Sequence, residues 1–378
     1  MPVAALAALA LSVFALCSAE FALIGLLLDV SRDLRVSVAS TGQLLSAYAV
    51  TVAVGGPVVT VLTTRVAPKR LALGLLAVFA AANVLGALAP SFPLLLAART
   101  LGALTHSTFA AICVVIAVRL APPGRRASAI AWVSGGLGLA TVLGGPIGTA
   151  IGQQWGWRAT FWCVTGAAAV GFLAVLALVP GSVAREAGGS ARGALKRPQV
   201  LCALAVTTVS QAGWFLLYSF VAPLLRQAAG FGATATTVML FVFGLGGFAG
   251  NAVGGRLADR TLRGALVTML LLLAGALALT GAVAHVRPAV PVAILLIGFA
   301  SGALVPPLQT WVLGAAGGGS ALAVAANTSA FNLGNAAGSW GGSQLLDVGA
   351  DVTVLGWAGA GVVAVALAVT AVALRRGF

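Results

Sequence analysis

Twelve apolar runs, rich in Ala, Leu, Val and Gly, divide the chain, with short polar breaks between them. Each run is near the roughly 20 residues that an α-helix needs to cross a bilayer core. The pattern predicts helices over 4–28, 42–63, 71–89, 93–118, 127–150 and 159–179. It predicts six more over 200–225, 233–255, 264–284, 289–314, 321–345 and 352–374. Between the two sets lies a more polar stretch, Pro180 to Pro198, with Arg185, Glu186, Arg192, Lys196 and Arg197. The simplest division is a six-helix bundle over 1–180, a cytoplasmic linker over 181–199 and a second bundle over 200–378. The expected fold class is all-α integral membrane. Alternating ten-residue segments of the transmembrane β-barrel kind are not seen. The first run continues past the usual length of a signal-peptide core, so it reads as a span.

The halves echo each other. Thr64-Arg65 after the second helix corresponds to Asp259-Arg260 after the eighth, an offset of 195. Gly138 and Gly145 in the fifth correspond to Gly334 and Gly341 in the eleventh, an offset of 196. Two signals at nearly one offset point to a duplicated six-helix unit, an organisation typical of secondary transporters.

Composition sharpens the membrane reading. Of the 378 residues, 60% are hydrophobic and 7% charged, where soluble domains carry about 25% charged residues. With a mean hydropathy of +1.09, the chain has too little polar surface to cover itself in water. A net charge of +14 would suit nucleic acid, but the basic residues sit in short clusters between apolar runs. With the N-terminus inside, 15 of the 21 basic residues fall in inner loops. Five (Arg32, Arg35, Arg158, Arg226 and Arg287) fall outside, and Arg99 lies within a helix. That bias predicts both termini in the cytoplasm. Cys17, Cys113, Cys163 and Cys202 all lie in apolar segments without metal-ligand spacing, so they read as small core residues. No cofactor and no metal site are expected, and no Gly-x4-Gly-Lys-Ser/Thr signature points to ATP. A membrane enzyme would need paired acids or a nucleophile with its base. A channel would need rings of pore-lining charge. Neither is evident.

Two charges remain at membrane depth, Glu20 and Arg99. Such charges are costly there and usually face a cavity and carry function. Counted from the outer helix ends, their depths are roughly 12 Å and 9 Å, so they could meet. A static ion pair locking helix 1 to helix 4 is one reading. The other is a titrating site, because burial favours the protonated acid and a nearby guanidinium the ionised one. His106 lies two turns from Arg99 on the same face. It suits a proton relay, a hydrogen bond to a neighbouring helix, or a substrate contact.

Helix 7 carries Gln211, Trp214, Phe215 and Tyr218 at i, i+3, i+4 and i+7, which is one face. Aromatic side chains with polar tips suit an amphipathic ligand. Helix 11 carries Asn327, Phe331 and Asn335 on one face with Asn332 beside them, and helix 10 carries Gln309 and Trp311. Interhelical hydrogen bonding is the competing role for these amides.

The quoted residues resemble those of the major facilitator superfamily, in its twelve-helix drug:proton antiporter branch. Gly254-Gly255-Arg256-Leu257-Ala258-Asp259-Arg260 is similar to the family's loop motif after an even-numbered helix. In the first half Thr64 stands where the motif has Asp, with Arg65, Lys69 and Arg70 retained. Arg99 with Leu101 and Gly102 is similar to the helix 4 motif whose Arg is linked to proton transfer. Gly135, Gly138, Gly144, Gly145, Pro146 and Gly148 are similar to the antiporter signature of helix 5. Glu20-Phe21 followed by Gly25-Leu26-Leu27 resembles the helix 1 pattern, with Leu28 in place of the usual Pro. Members close to this pattern include chloramphenicol-resistance exporters, sugar efflux permeases and purine nucleoside exporters.

The resemblance implies a monomeric, proton-coupled exporter of a small lipophilic or amphipathic molecule in a bacterial inner membrane. Its partners would be the substrate, the proton and the lipid bilayer, with no nucleic acid. Glu20, Arg99 and His106 are the expected coupling residues. Tyr48, His106, Gln211, Trp214, Phe215, Tyr218, Gln309, Asn327, Phe331, Asn332 and Asn335 are the expected substrate contacts. Arg65, Gly138, Gly145, Pro146, Gly255, Asp259 and Arg260 are the expected conformational motif residues. An importer or facilitator of the same fold is the alternative.

Overall fold

A computed structural model describes residues 3–63, 65–122, 126–181, 197–316 and 321–375. Thr64, Arg125, Arg376 and most of the expected linker, with Arg185, Glu186, Arg192 and Lys196, lie outside the described residues. Among those described there is no strand. The first six helices are α1 (Val3–Leu34), α2 (Val38–Leu62), α3 (Pro68–Ala87), α4 (Phe92–Leu120), α5 (residues 126–155) and α6 (Trp157–Leu178). The next six are α7 (Pro198–Ala228), α8 (Ala233–Arg260), α9 (Leu262–Val283), α10 (Val290–Ala315), α11 (Ala321–Asp347) and α12 (Val354–Arg375).

Among the described residues, eleven helices are long and apolar enough to cross a membrane. The further one, α11, has 27 residues but is more polar, with Asn327, Asn332, Asn335 and Gln344 along it. Several helices outrun their predicted ends, α1 and α8 among them. After Ala22 the α-helix of α1 passes through a tight turn at Ile24–Leu26 and then resumes to Leu34. It stops at Arg35, whose left-handed backbone (φ 55°) lets its N–H cap the carbonyl of Ser31. The polar end of α8 also stays helical, so Gly255, Asp259 and Arg260 form its last turns instead of a loop. Hydropathy tracks the lipid, whereas the backbone ladder continues into water until a cap stops it.

Proline sets the irregularities. Widened π-turns occupy Thr51–Gly55, Ala140–Gly144 and Leu224–Ala228. Pro57 and Pro146 follow the first two and Pro223 precedes the third. Proline has no N–H to donate and its ring crowds the preceding turn, and a π-turn absorbs that mismatch.

The chain divides into two compact units. The first holds α1, the part of α2 from Val50, and α3 to α6; the second holds Ser37–Ala49 and α7 to α12. In the first unit α3 packs on α4 and α6, and α1 on α5 and α6. Leu9, Leu16, Phe79, Phe109 and Ile116 are fully buried in its core. In the second unit α8 packs along α10, α7 along α11 and α12, and α9 along α10 and α12. Ser37–Ala49 joins that unit through Gly42, whose carbonyl accepts a 2.9 Å hydrogen bond from the Ser339 hydroxyl.

In lipid, helices gain little from hiding apolar surface, so association relies on close packing. A Cβ at Gly250 or Gly254 of α8 would run into the α10 backbone at Phe299 and Ala303. On α5, Gly136, Gly144, Gly148 and Gly152 are pressed against α1. Of the expected pair on α5, Gly145 makes ordinary contact with Phe21, while a Cβ on Gly138 would meet open space. The helix 5 signature therefore packs through glycines neighbouring those two.

Candidate functional site

In the first unit the coupling residues gather where α1 loses its regular ladder. Ala19 lies in the last turn before the break, where carbonyls lack intrahelical donors. Arg99 reaches it from α4 and donates from Nη1 to the Ala19 carbonyl at 2.8 Å. The guanidinium thus serves as a cationic cap at a helix C-terminus, and Arg99 is only 4% exposed. A small cavity of about 10 Å³ borders it, lined also by Asn83 and Phe161.

Glu20 stands one residue further on. Its Oε2 lies 3.9 Å from Nε2 of His106, with the side chains 16% and 14% exposed. The Cys17 sulfur sits 4.0 Å from the same imidazole nitrogen. The sequence suggested Glu20 and Arg99 as facing partners. The structure gives Glu20 a close contact with His106 and sends Arg99 to the backbone beside it. Carbonyl capping was not legible because it depends on where α1 breaks.

Hydroxyls on α4 line the adjoining stretch of α2. Ser107 donates to the carbonyl of Val52 at 3.0 Å and Thr108 to that of Gly56 at 3.1 Å. The Thr60 and Thr108 hydroxyls lie 2.9 Å apart. These hydroxyls reach carbonyls within and just after the π-turn of α2.

In the second unit the predicted face of α7 is assembled as an aromatic wall. Trp214 donates from Nε1 to Oε1 of Gln211 at 2.5 Å. Tyr218 stacks on Phe243 of α8 with ring centroids 4.2 Å apart, and Trp214 lies parallel to Phe243 at 5.9 Å. Phe215 meets the Trp214 ring edge-on at 5.3 Å. Sequence reading missed Phe243, which sits in an apolar run that looks the same from every side.

The other expected contacts separate. Asn327 is 3% exposed and accepts from the Thr207 hydroxyl at 3.2 Å, the interhelical bond that competed with a cavity role. Asn332 donates to the Thr328 carbonyl one turn back. Asn335 keeps its Oδ1 buried without a hydrogen-bond partner among the described residues. Phe331 is half-buried and Gln309 exposed. Tyr48 is fully buried in the part of α2 that belongs to the second unit. Of the motif residues, Arg65, Asp259 and Arg260 are exposed, Gly255 is half-buried and Pro146 buried.

One cluster, where the end of α1 meets the start of α6, was not foreseen. Asp33 accepts a 3.0 Å bond from Nε1 of Trp157 and pairs with Arg158. Arg158 also donates to the carbonyl of Ala89 at 2.9 Å and covers the Trp157 ring at 4.2 Å. These contacts tie the ends of α1 and α3 to the start of α6.

Residues 9–339 match the family model described as Major Facilitator Superfamily. The chain is 39% identical over 343 residues to a chloramphenicol resistance protein of Streptomyces lividans, covering 87% of this chain and 86% of that protein. It is 34% identical over 373 residues to the inner membrane transport protein YdhP of Escherichia coli (strain K12), covering 98% and 96%. Among solved structures, the human organic anion transporter MFSD10 superposes with a TM-score of 0.70 at 19% identity, covering 98% of each chain.

Proposed function

This chain belongs to the major facilitator superfamily, and from that premise we propose that this multi-pass membrane transporter exports a small lipophilic or amphipathic molecule in exchange for protons. The observation that carries the coupling is the Glu20–His106 pair. A carboxylate and an imidazole 3.9 Å apart, both mostly buried, form an acid–base couple at membrane depth, where ionisable groups persist mainly for function. Arg99 holds a fixed positive charge beside them and pins α1 through Ala19. Gain or loss of a proton at Glu20 changes the local charge balance and so the relative stability of the conformations that α1 serves.

The aromatic wall of Gln211, Trp214, Tyr218 and Phe243 supplies the substrate surface. It offers broad apolar faces with a few polar tips and no charge, which suits a neutral or weakly polar ring system. The chloramphenicol resistance protein among the relatives supports the drug-like class. The distribution of basic residues supports an orientation with both termini in the cytoplasm.

The test is accumulation of candidate antibiotics in an efflux-deficient host. Cells with the wild type should hold less drug and tolerate more of it than cells with Glu20→Gln at equal membrane abundance. Equal protection by the variant would remove Glu20 from the coupling. Greater drug accumulation with the wild type than with empty vector would reverse the direction of transport.

A further inference from the structure

The second unit contains a crevice that transport as proposed above does not use. It has a volume of about 620 Å³ and is bordered by Gln199, Thr261, Arg263, Leu266, Trp311 and Leu374. These residues lie at the starts of α7 and α9 and the ends of α10 and α12. All four helix ends share one side of the unit. The matching ends in the first unit are occupied differently, since Lys69 at the start of α3 donates to the Leu176 carbonyl at the end of α6 at 2.7 Å.

The lining has two parts. Leu266, Leu374 and the Trp311 ring form an apolar wall, while Gln199, Thr261 and Arg263 bring polar groups. Two helix N-termini and two C-termini face each other here, so their dipoles largely cancel. Arg197 is engaged at the α10 end, donating to the Ala315 carbonyl at 3.4 Å. The net sign of the crevice therefore comes from Arg263, which is exposed and has no ion-pair partner among the described residues. No carboxylate is among the described lining residues. Trp311 adds a second, independent signal. It is 5% exposed and lines the crevice, and its indole N–H finds no acceptor among the described residues. A ligand oxygen in the crevice would give that N–H an acceptor.

We infer that this crevice binds the headgroup of an anionic phospholipid. A phosphate oxygen would take the Arg263 guanidinium and the Trp311 N–H, and the glycerol and upper acyl carbons would lie against Leu266 and Leu374. Arg suits a phosphate through paired N–H donors, and Trp near a helix end sits at the depth of lipid headgroups. The apolar wall distinguishes a lipid from a soluble phosphate, which would gain nothing from it. That the lipid comes from the cytoplasmic leaflet rests on the orientation proposed above. Binding itself does not depend on that orientation.

The test uses the full chain in detergent, where sidedness plays no part. Native mass spectrometry is run during titration with phosphatidylglycerol, phosphatidylcholine and sn-glycerol 3-phosphate. The wild type should retain one tightly held phosphatidylglycerol and discriminate against phosphatidylcholine. Arg263→Gln should weaken that site by about tenfold, and Trp311→Phe, which keeps the ring and removes the donor, by a few-fold. Melting temperatures without lipid check that both variants fold. Should Arg263→Gln unfold, Trp311→Phe decides alone. Undiminished phosphatidylglycerol retention by a folded variant overturns the proposal. Equally tight binding of sn-glycerol 3-phosphate overturns the lipid assignment. Cysteine-labelling from either side of the membrane reports the orientation separately.

Discussion

Asn327 and Asn335 lie two helical turns apart on α11 and do different things. Asn327 accepts from Thr207 on α7 and joins two helices. Asn335 holds a buried oxygen that meets no donor among the described residues. Replacing Asn327 with Leu should lower stability by about 1 kcal/mol, the usual size of a polar contact between membrane helices, and leave substrate affinity unchanged. Replacing Asn335 with Leu should leave stability intact and weaken substrate binding several-fold. Thermal unfolding and a substrate-binding titration on the two purified variants separate the roles. A swap of the two effects would reverse the assignment. Both residues were visible in the sequence as polar residues on an apolar helix. Which of them had a partner was not visible, because the Thr207 hydroxyl comes from a helix 120 residues away. Glu20 and His106 follow the same rule. Their presence at membrane depth was readable, but their meeting required knowing how α1 and α4 face each other.

Helices were the most legible elements, since crossing lipid demands a long apolar run. Their ends were less so, as Leu34 and Arg260 show, because helix continues into water without hydropathy to mark it. The glycines divide along similar lines. Their abundance on α5 and α8 was plain, but only packing shows which of them touch. Gly250→Leu should disrupt the α8–α10 contact and sharply reduce the folded yield, as its side chain would enter the backbone at Phe299. Gly138→Ala should be tolerated, since its Cβ would meet open space and alanine favours the helix by about 1 kcal/mol. Fluorescence-detected size-exclusion profiles of the two variants compare them directly. A normal monodisperse peak for Gly250→Leu would refute tight α8–α10 packing.

At the scale of the whole molecule, the proposed roles fall on different units. The acid–base pair and its capping Arg99 belong to the first, and the aromatic wall belongs to the second. Glycine and arginine spacing pointed to a duplicated unit, whereas the proposed division of roles emerged only when side chains found their neighbours. If the proposed proton group and substrate surface lie in separate units, coupling would run through conformational states that proton and substrate favour unequally. The linkage is then reciprocal. The most direct measurement is proton movement in sealed proteoliposomes, read with a trapped pH dye as substrate is added to wild type and to Glu20→Gln. Substrate-dependent proton flux is expected for the wild type and none for the variant, with substrate binding retained in both. Undiminished proton flux through Glu20→Gln would contradict it.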